Sequence, residues 1–308
     1  MANVQLFSGE NSRYLAEKIA KAYGQPLGAM SLFKFSDGEM SPSYDESVRG
    51  NDVFLIQSTF PPADNMMELL LMVDAAKRAS AKYVTVVVPY FGYARQDRKD
   101  KPRVSIAAKL NANLLSAAGA DRLMTIDLHA GQIQGFFDFP VDHLYGSAIF
   151  VPYLRNKSLE NLVFAAPDVG GVGRARAFAK YFTAEMVVCD KHRKRANEVA
   201  SMQVIGEVEG ADVVIVDDMI DTAGTICKAA EVIKEKGANS VRAICTHPIL
   251  SGQAYERLEQ SELEEIAVTD TIPLKRDSHK IKVLTVADLF ADAIKAIHGH
   301  GSISSLFI

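Results

Sequence analysis

A run of four β-branched residues, 213–216, constrains the fold of this chain more than any other segment. An unbroken apolar run of this kind is typical of a parallel strand that is covered on both faces. Two carboxylates, Asp217 and Asp218, follow the run directly, and a third follows at Asp221. The sequence therefore predicts a buried parallel strand whose carboxyl end carries acidic side chains.

A small, hydroxylated loop follows this strand. Its sequence is DTAGT over residues 221–225, and the residues after it predict a helix over 226–236. Backbone N–H groups at such a turn, together with the helix N-terminus, form a ready site for a phosphate. The neighbouring carboxylates would repel that phosphate unless they held sugar hydroxyls or faced a metal. A ribose-phosphate site meets both conditions, and the alternative is that these residues only cap the helix.

Apolar runs alternate with amphipathic stretches from end to end of the chain, which predicts parallel sheets built from crossover units. Strands are predicted at residues 53–57, 84–89, 123–127, 162–166, 186–189, 213–216, 241–246 and 266–269. Helices are predicted at residues 66–79, 106–118, 173–182, 226–236 and 287–297. The length of 308 residues suggests about two domains. We place them at 1–145 and 146–308, with the apolar last residues docking elsewhere.

Composition excludes some classes of partner. The net charge is −4, so nothing indicates nucleic acid or an acidic membrane as a ligand. The first residues lack the apolar core of a signal peptide, and no apolar stretch is long enough to span a bilayer. Cys189, Cys227 and Cys245 show no metal-ligand spacing and are expected to be buried, reduced thiols. We therefore expect a cytoplasmic protein.

Acidic residues at two further strand ends suit a divalent cation. Asp127 and His129 close the run LMTIDLH, and in a strand their spacing puts both on the same side. Asp168 ends another strand, before glycines and a helix that begins around Arg174 and Arg176. Each group could contact a metal, directly or through water. The alternative is that the acids cap turns and the histidine is satisfied internally.

Three further segments suit a nucleotide or its phosphates. Residues 35–39, FSDGE, follow an alternating segment, and their Asp-Gly pair predicts a hairpin turn. Residues 89–99 interleave three aromatic with three basic residues after a buried strand, which favours a nucleotide surface over a solvated loop. Residues 191–195 are all basic, and the acidic chain as a whole argues against a nucleic-acid patch there.

The segment 127–145, DLHAGQIQGFFDFPVDHLY, is distinctive far beyond its parts. It resembles the signature segment of the ribose-phosphate pyrophosphokinase family, and residues 213–225 resemble the motif of enzymes that make or use phosphoribosyl pyrophosphate. The resemblance extends from LFSG near the start to SISSLF near the end. It implies an α/β fold with two doubly wound parallel-sheet domains of the type I phosphoribosyltransferase kind. It also implies transfer of the β,γ-pyrophosphate of ATP to the 1-hydroxyl of ribose 5-phosphate, with release of AMP.

The same resemblance implies roles for individual residues. It places ATP at Phe35, Asp37, Gly38, Glu39, Arg95 and Gln96. It places ribose 5-phosphate at Arg193, Asp217, Asp218, Asp221, Thr222, Ala223, Gly224 and Thr225. It makes Lys191 and Arg193 the catalytic cations on a mobile flap, and His129 and Asp168 the contacts of Mg²⁺.

Regulation is also implied by the resemblance. Phosphate-activated, ADP-inhibited members of the family are hexamers with an anion site between subunits, and the matching positions here are Ser47, Arg49, Ser80, Arg103, Ser302 and Ser304. Two alternatives stay open. One is a phosphoribosyltransferase, which shares the sugar-phosphate loop but does not need ATP. The other is a noncatalytic regulatory relative of the synthetase, although such relatives depart from the catalytic pattern present here.

Overall fold

The computed structural model describes residues 3–195 and 198–304, and the side chains of these residues except those within 191–201. The chain forms two compact units. The first consists of Met1–Gly146 together with Val286–Ile308, and the second of Ser147–Thr285.

The strands and helices of both units are named here in chain order. The strands are β1 Val4–Ser8, β2 Met30–Lys34, β3 Met40–Tyr44, β4 Asp52–Ile56, β5 Tyr83–Val87, β6 Arg122–Ile126, β7 Val141–Leu144, β8 Val163–Ala166, β9 Glu185–Arg195, β10 Glu198–Ile205, β11 Asp212–Ile220, β12 Ser240–Pro248, β13 Glu265–Thr269 and β14 Ile281–Leu284. The helices are α1 Arg13–Tyr23, α2 Asp64–Arg78, α3 Ala107–Ala118, α4 Ser147–Arg155, α5 Val172–Phe182, α6 Gly224–Glu235, α7 Ala254–Gln260 and α8 Ala287–His298.

The first unit is built on a five-stranded parallel sheet in the order β1-β4-β5-β6-β7. Val53 and Leu55 of β4 pack in the core that α2 and α3 cover. Phe54 and Ile56 alternate with them along the strand, so they point to the opposite face, where they are also buried. β2 and β3 form a separate antiparallel hairpin.

Helix α8 belongs to this first unit, although the sequence prediction grouped it with residues 146–285. It packs against α1 and buries Leu289, Phe290 and Ile294. Lys295 Nζ also donates a hydrogen bond to the carbonyl oxygen of Ala22, over a distance of 3.1 Å. The apolar face of α8 therefore completes the unit that contains α1. The predicted docking of the last three residues lies outside the described part of the chain.

The second unit has a seven-stranded sheet in the order β10-β9-β8-β11-β12-β13-β14. All neighbours pair in parallel except β9 and β10, which are antiparallel. Val213 and Ile215 point into a core shared with α6 and α7, whereas Val214 and Val216 point into a core shared with α4 and α5. The β-branched run 213–216 is therefore covered on both faces, as its sequence predicts.

Strand order reverses between β8 and β11, because the chain adds β9 on one side of β8 and later adds β11 on the other. In open parallel sheets, ligands bind beyond the carboxyl ends of the strands at such a reversal. We therefore expect a ligand to bind near the residues that follow Ala166 and those at the end of β11.

Each predicted strand and helix corresponds to an element of the structure. Most ends differ by one or two residues, but β9 and β11 continue six and four residues beyond their predicted ends. The prediction did not include several short or amphipathic elements: β1, β7, β10, β14, α1, α4 and α7. Within residues 3–195 and 198–304, no helix combines the length and apolar character needed to cross a membrane. All three cysteines are free thiols; Cys189 and Cys245 are buried and Cys227 is partly buried.

Candidate active site

The junction of β11 and α6 forms the centre of the candidate site. Asp217 lies beside Cys245 of β12, and β11 continues to Ile220 before the chain turns. Ala223, the residue before α6, has φ 61° and ψ 0°, which is the left-handed region. Alternation of this conformation with ordinary ones turns successive backbone N–H groups toward one side, an arrangement that binds anions. The loop 221–225 therefore has the backbone shape that the sequence predicts for a phosphate site.

Asp221 is fixed by the segment after β12. Ser251 Oγ donates a short hydrogen bond to Asp221 Oδ1, and Ser251 N donates to the carbonyl oxygen of Asp221 over 2.9 Å. These bonds hold both the backbone and the carboxylate of Asp221 in one orientation.

The two acids at the end of β11 share one arginine. Arg174 Nη1 lies 3.1 Å from Asp218 Oδ1 and 3.9 Å from Asp217 Oδ1. The Asp218 side chain is only 5% exposed, so the guanidinium of Arg174 compensates a carboxyl group that is almost completely removed from water. Arg174 comes from α5, the helix that follows β8, and it thus links the two strand ends that flank the reversal.

Asp217 differs from its neighbour in electrostatic environment. Burial raises the pKa of Asp217 well above its ordinary value, the negative charges of Asp218 and Asp168 raise it further, and Arg174 acts against them. Because the charge of Asp168 raises the pKa of Asp217, the acidic groups after β8 and β11 are close enough to repel one another. A positively charged or hydroxyl-rich ligand would relieve this accumulation of negative charge.

Asp168 acts as the cap of a short 3₁₀ turn, Val169–Gly171. Its Oδ1 accepts hydrogen bonds from Gly170 N at 2.9 Å and Gly171 N at 3.2 Å. The capping alternative considered from the sequence is therefore present in the structure, and it fixes the carboxylate at the strand end. Among the residues with described side chains, no group of three or more His, Cys, Asp and Glu is arranged to hold a metal.

The expectation that Asp127 and His129 share one face of a strand is wrong. β6 ends at Ile126, and Asp127 has φ 42°, so the alternation of a strand does not continue through it. Asp127 Oδ2 instead accepts a hydrogen bond from Gly146 N over 3.1 Å. His129 is exposed on the loop that follows. A contact of His129 with a metal would therefore come from a loop and not from a strand.

The predicted hairpin turn at residues 35–39 is confirmed, since it joins the antiparallel pair β2 and β3. Gly38 has φ 98°, and Asp37 Oδ1 accepts a hydrogen bond from Glu39 N over 3.0 Å. The Phe35 side chain is 50% exposed and makes an edge-on contact with Phe33, with ring centroids 4.9 Å apart. An exposed aromatic ring held by a tight turn is available for stacking.

The loop 89–99 follows β5 and is held by contacts with residues of neighbouring segments. A Cβ atom on Gly92 would lie 2.1 Å from the carbonyl oxygen of Thr59, so only glycine fits this close approach. Gln96 Oε1 accepts a hydrogen bond from Ser105 Oγ over 3.0 Å, and Gln96 O accepts one from Ala108 N at the start of α3. The predicted nucleotide contacts Arg95 and Gln96 thus lie on an anchored loop.

The basic run 191–195 lies at the end of β9, which pairs with β10 as an irregular antiparallel hairpin. The side chains of Lys191 and Arg193, the predicted catalytic cations, lie outside the described part of the chain. Their predicted roles stay predictions.

Three of the six predicted effector residues converge in the first unit. Arg49 Nη1 lies 3.1 Å from Ser80 Oγ, and Ser47 Oγ accepts a hydrogen bond from Arg49 N over 3.4 Å. Ser47 and Arg49 line a cavity of about 470 Å³. Of the other predicted residues, Arg103 lies on the loop before α3, and Ser302 Oγ accepts a hydrogen bond from Ser304 N.

Two residues that position the acids and the loop carry no local sequence signal for that role. The sequence predicts Arg174 only as part of the start of a helix, and no motif includes Ser251. Their partners lie 44 and 30 positions away in the chain, and only the topology of the sheet brings them together.

The reversal of strand order, the acidic strand end and the phosphate-type loop define an α/β protein of the type I phosphoribosyltransferase kind. The profile of the N-terminal domain of ribose phosphate pyrophosphokinase matches residues 4–119, and that of the phosphoribosyl synthetase-associated domain matches residues 182–308. The chain belongs to the ribose-phosphate pyrophosphokinase family.

Individual relatives support this assignment. The ribose-phosphate pyrophosphokinase of Porphyromonas gingivalis is 61% identical, with 99% of this chain and 98% of the relative covered. That of Campylobacter jejuni is 54% identical over 100% of both chains. The crystal structure of the phosphoribosylpyrophosphate synthetase from Mycobacterium smegmatis matches with a TM-score of 0.92 at 39% identity, covering 97% of this chain and 100% of that one.

Proposed function

We propose a role for each candidate residue of this chain in the reaction of its family. The chain is a ribose-phosphate pyrophosphokinase, an enzyme that transfers the β,γ-pyrophosphoryl group of ATP to the 1-hydroxyl of ribose 5-phosphate. The products are 5-phospho-α-D-ribose 1-diphosphate, a precursor for nucleotide biosynthesis, and AMP. The observation that carries our assignment of the sugar site is the junction of β11 and α6, where acids and an anion-binding loop are adjacent.

The second unit binds ribose 5-phosphate. Asp217 and Asp221 orient the 2- and 3-hydroxyls, and the loop from Thr222 to Thr225 holds the 5-phosphate. The raised pKa of Asp217 supports this role, because hydroxyl groups can donate hydrogen bonds to a crowded carboxylate without adding negative charge. Asp218 forms an ion pair with Arg174. This pairing favours a structural role for Asp218 over a role as general base.

The first unit binds ATP. Phe35 stacks on the adenine ring, Asp37, Gly38 and Glu39 lie near the nucleotide, and Arg95 and Gln96 contact it from the anchored loop. The exposure of the Phe35 ring and the close approach at Gly92 support these roles.

Magnesium accompanies the nucleotide in this proposal. Asp168 fits the ion by its chemistry, since Mg²⁺ prefers oxygen ligands and is often held by one or two carboxylates plus substrate phosphates. A dedicated cluster of protein ligands is not required for this mode of binding. His129 would hold the ion directly or through water, although its nitrogen suits Mg²⁺ less well than an oxygen ligand does.

Lys191 and Arg193 neutralise the transferring group. The ribose hydroxyl attacks the β-phosphorus in line, without a phosphoenzyme, and negative charge accumulates on the phosphoryl oxygens and on the leaving AMP. Positioned cations stabilise such charge, and the protein needs to supply little covalent chemistry. Closure of the flap would also exclude water from the pyrophosphoryl group.

We further propose that the enzyme is a homohexamer that phosphate activates and ADP inhibits, with Ser47, Arg49, Ser80, Arg103, Ser302 and Ser304 at the effector site. The convergence of Arg49 and Ser80 supports an anion site there. A cytoplasmic location stays a prediction from the sequence.

Release of AMP tests the proposal. Purified protein is incubated with ATP and Mg²⁺, with and without ribose 5-phosphate, and AMP is quantified by chromatography. We expect AMP only when all three components are present. A phosphoribosyltransferase would give no AMP under these conditions, and a noncatalytic relative would bind the ligands without turnover; either outcome contradicts the proposal.

A further inference from the structure

Three consecutive carbonyl groups before α6 are held by one distant segment of the chain. Leu250 N donates to the carbonyl oxygen of Ile220 over 3.0 Å, and Ser251 N donates to that of Asp221 over 2.9 Å. Arg257 Nη1, on α7, donates to that of Thr222 over 2.8 Å. The first two bonds come from the backbone after β12, whereas the third depends on a single side chain.

The bond from Arg257 fixes the orientation of a peptide plane. In a trans peptide, the carbonyl oxygen of Thr222 and the N–H of Ala223 point in opposite directions. Because the carbonyl points toward α7, this N–H points away from α7. The same argument applies to the Asp221 carbonyl and the Thr222 N–H. Segment 250–257 thus fixes the direction of both carbonyl groups, and two adjacent N–H groups of the loop, those of Thr222 and Ala223, point away from it. An anion-binding concavity needs successive N–H groups that are free of the carbonyl partners in this way.

The charge of Arg257 also lies close to the start of α6. A Cβ atom placed on Gly224, the first residue of that helix, would lie 3.6 Å from Arg257 Nη1. A helix N-terminus already favours an anion, and a guanidinium beside it adds to that preference.

We propose that Arg257 is the positioning residue that sets the affinity of the loop for the 5-phosphate of the sugar. It holds the Thr222 peptide in its anion-binding orientation and contributes positive charge beside the loop. This inference rests on the proposed sugar site and goes beyond it, because Arg257 lies outside the acidic loop that resembles the family motif.

The test compares Arg257→Gln and Arg257→Lys with the control Arg155→Gln. Arg155 is an exposed arginine of the same unit, and its guanidinium lies over the ring of Tyr181 on the opposite side of the sheet from α7. We expect Arg257→Gln to raise the KM for ribose 5-phosphate about fivefold to tenfold, because a charge-assisted hydrogen bond is lost. The KM for ATP and kcat should stay within about twofold. Arg257→Lys, which keeps the charge but loses the planar fork, should show an intermediate rise of about threefold.

Several outcomes overturn the proposal. An unchanged KM for ribose 5-phosphate in Arg257→Gln is one, and an equal rise in the KM for ATP is another. If the Gln variant folds poorly, Arg257→Lys decides, and a KM equal to that of the wild type contradicts the role. Calorimetric titration with ribose 5-phosphate separates this question from the proposed function: wild-type protein that binds the sugar but releases no AMP would refute the reaction alone, whereas equal affinities of wild type and Arg257→Gln would refute the role of Arg257.

Discussion

Arg174 Nη1 and Asp218 Oδ1 lie 3.1 Å apart, and the pair joins the helix after β8 to the end of β11. Both side chains are largely removed from water, with exposed fractions of 22% and 5%. An ion pair in this setting stabilises mainly because each charge would be costly without the other. We therefore expect the pair to stabilise the second unit and to hold the Asp218 carboxylate in position.

Replacement of Arg174 by methionine should lower the free energy of unfolding by about 2–3 kcal/mol. Removal of one partner of a fully buried pair costs about 3–5 kcal/mol, and the partial exposure of Arg174 reduces that figure. Urea denaturation followed by circular dichroism measures the change. Arg176→Met is the control, because Arg176 is an exposed arginine on the same helix. Equal stabilities of the two variants would contradict a structural role for the pair.

Replacement of Asp217 by asparagine should stabilise the protein, and more so as the pH rises. The pKa of Asp217 is raised in the folded protein, chiefly by burial and then by Asp218. The carboxyl group therefore ionises more easily in the unfolded chain than in the folded protein. Below the ordinary pKa it is protonated in both states, so it does not lower the free energy of unfolding. The cost of its ionisation grows as the pH rises toward the raised pKa. Melting temperatures of the variant and the wild type, compared between about pH 4.5 and pH 8, should diverge toward alkaline pH.

Asp212 at the other end of β11 provides a control of opposite sign. Burial acts to raise its pKa, but hydrogen bonds from Ser240 and Glu160, with nearby positive charges, outweigh burial and lower it. This contribution to stability is present above the ordinary pKa and is lost as the pH falls through the lowered value. Asp212→Asn should therefore destabilise the protein at neutral pH and have little effect in strong acid. The same pH dependence in both variants would refute the assignment.

Replacement of Lys191 by alanine should reduce kcat by about 10²–10³ while the melting temperature stays unchanged. Loss of one positioned group that stabilises transition-state charge has a cost of this size. Steady-state assays of AMP release measure kcat, and differential scanning fluorimetry measures the melting temperature. Lys228→Ala is the control, since Lys228 is a partly exposed lysine on α6 whose ammonium group forms a surface ion pair with Glu231. More than about a third of wild-type turnover in Lys191→Ala would remove Lys191 from its proposed role.

Replacement of Arg49 by alanine should abolish activation by phosphate without lowering the rate in its absence. Arg49 contacts Ser80 and lines the cavity of about 470 Å³, where an anion would meet the guanidinium. Rates are compared over a millimolar range of added phosphate. Arg78→Ala is the matched control, because Arg78 lines the same cavity but is paired with Asp74 at 2.7 Å. Wild-type enzyme whose rate does not respond to phosphate would count against the effector site itself.

The regular parts of the fold were predictable because their signals are local. The segment 213–225 contains, within thirteen positions, both the buried strand and the phosphate-type loop. The Asp-Gly pair at residues 37–38 likewise predicts its hairpin from two adjacent residues.

Other features depend on contacts that no local pattern contains. The left-handed conformation of Asp127 ends β6 one residue earlier than predicted, and an aspartate tolerates that conformation without any marker in the sequence. Arg174 and Ser251, the partners of Asp218 and Asp221, belong to other crossover units. They can be identified only when the order of the strands in the sheet is known. The apolar face of α8 predicts a helix but does not indicate which sheet it covers.

The first unit is discontinuous in the chain, since Val286–Ile308 closes a core begun by Met1–Gly146. During synthesis on the ribosome, the strands of that unit emerge early, whereas the helix that covers α1 emerges only after the whole second unit. The second unit, Ser147–Thr285, is thus inserted in the chain between the two parts of the first unit. A nascent chain truncated before residue 286 would therefore expose the apolar side of α1, and quality-control chaperones recognise such surfaces.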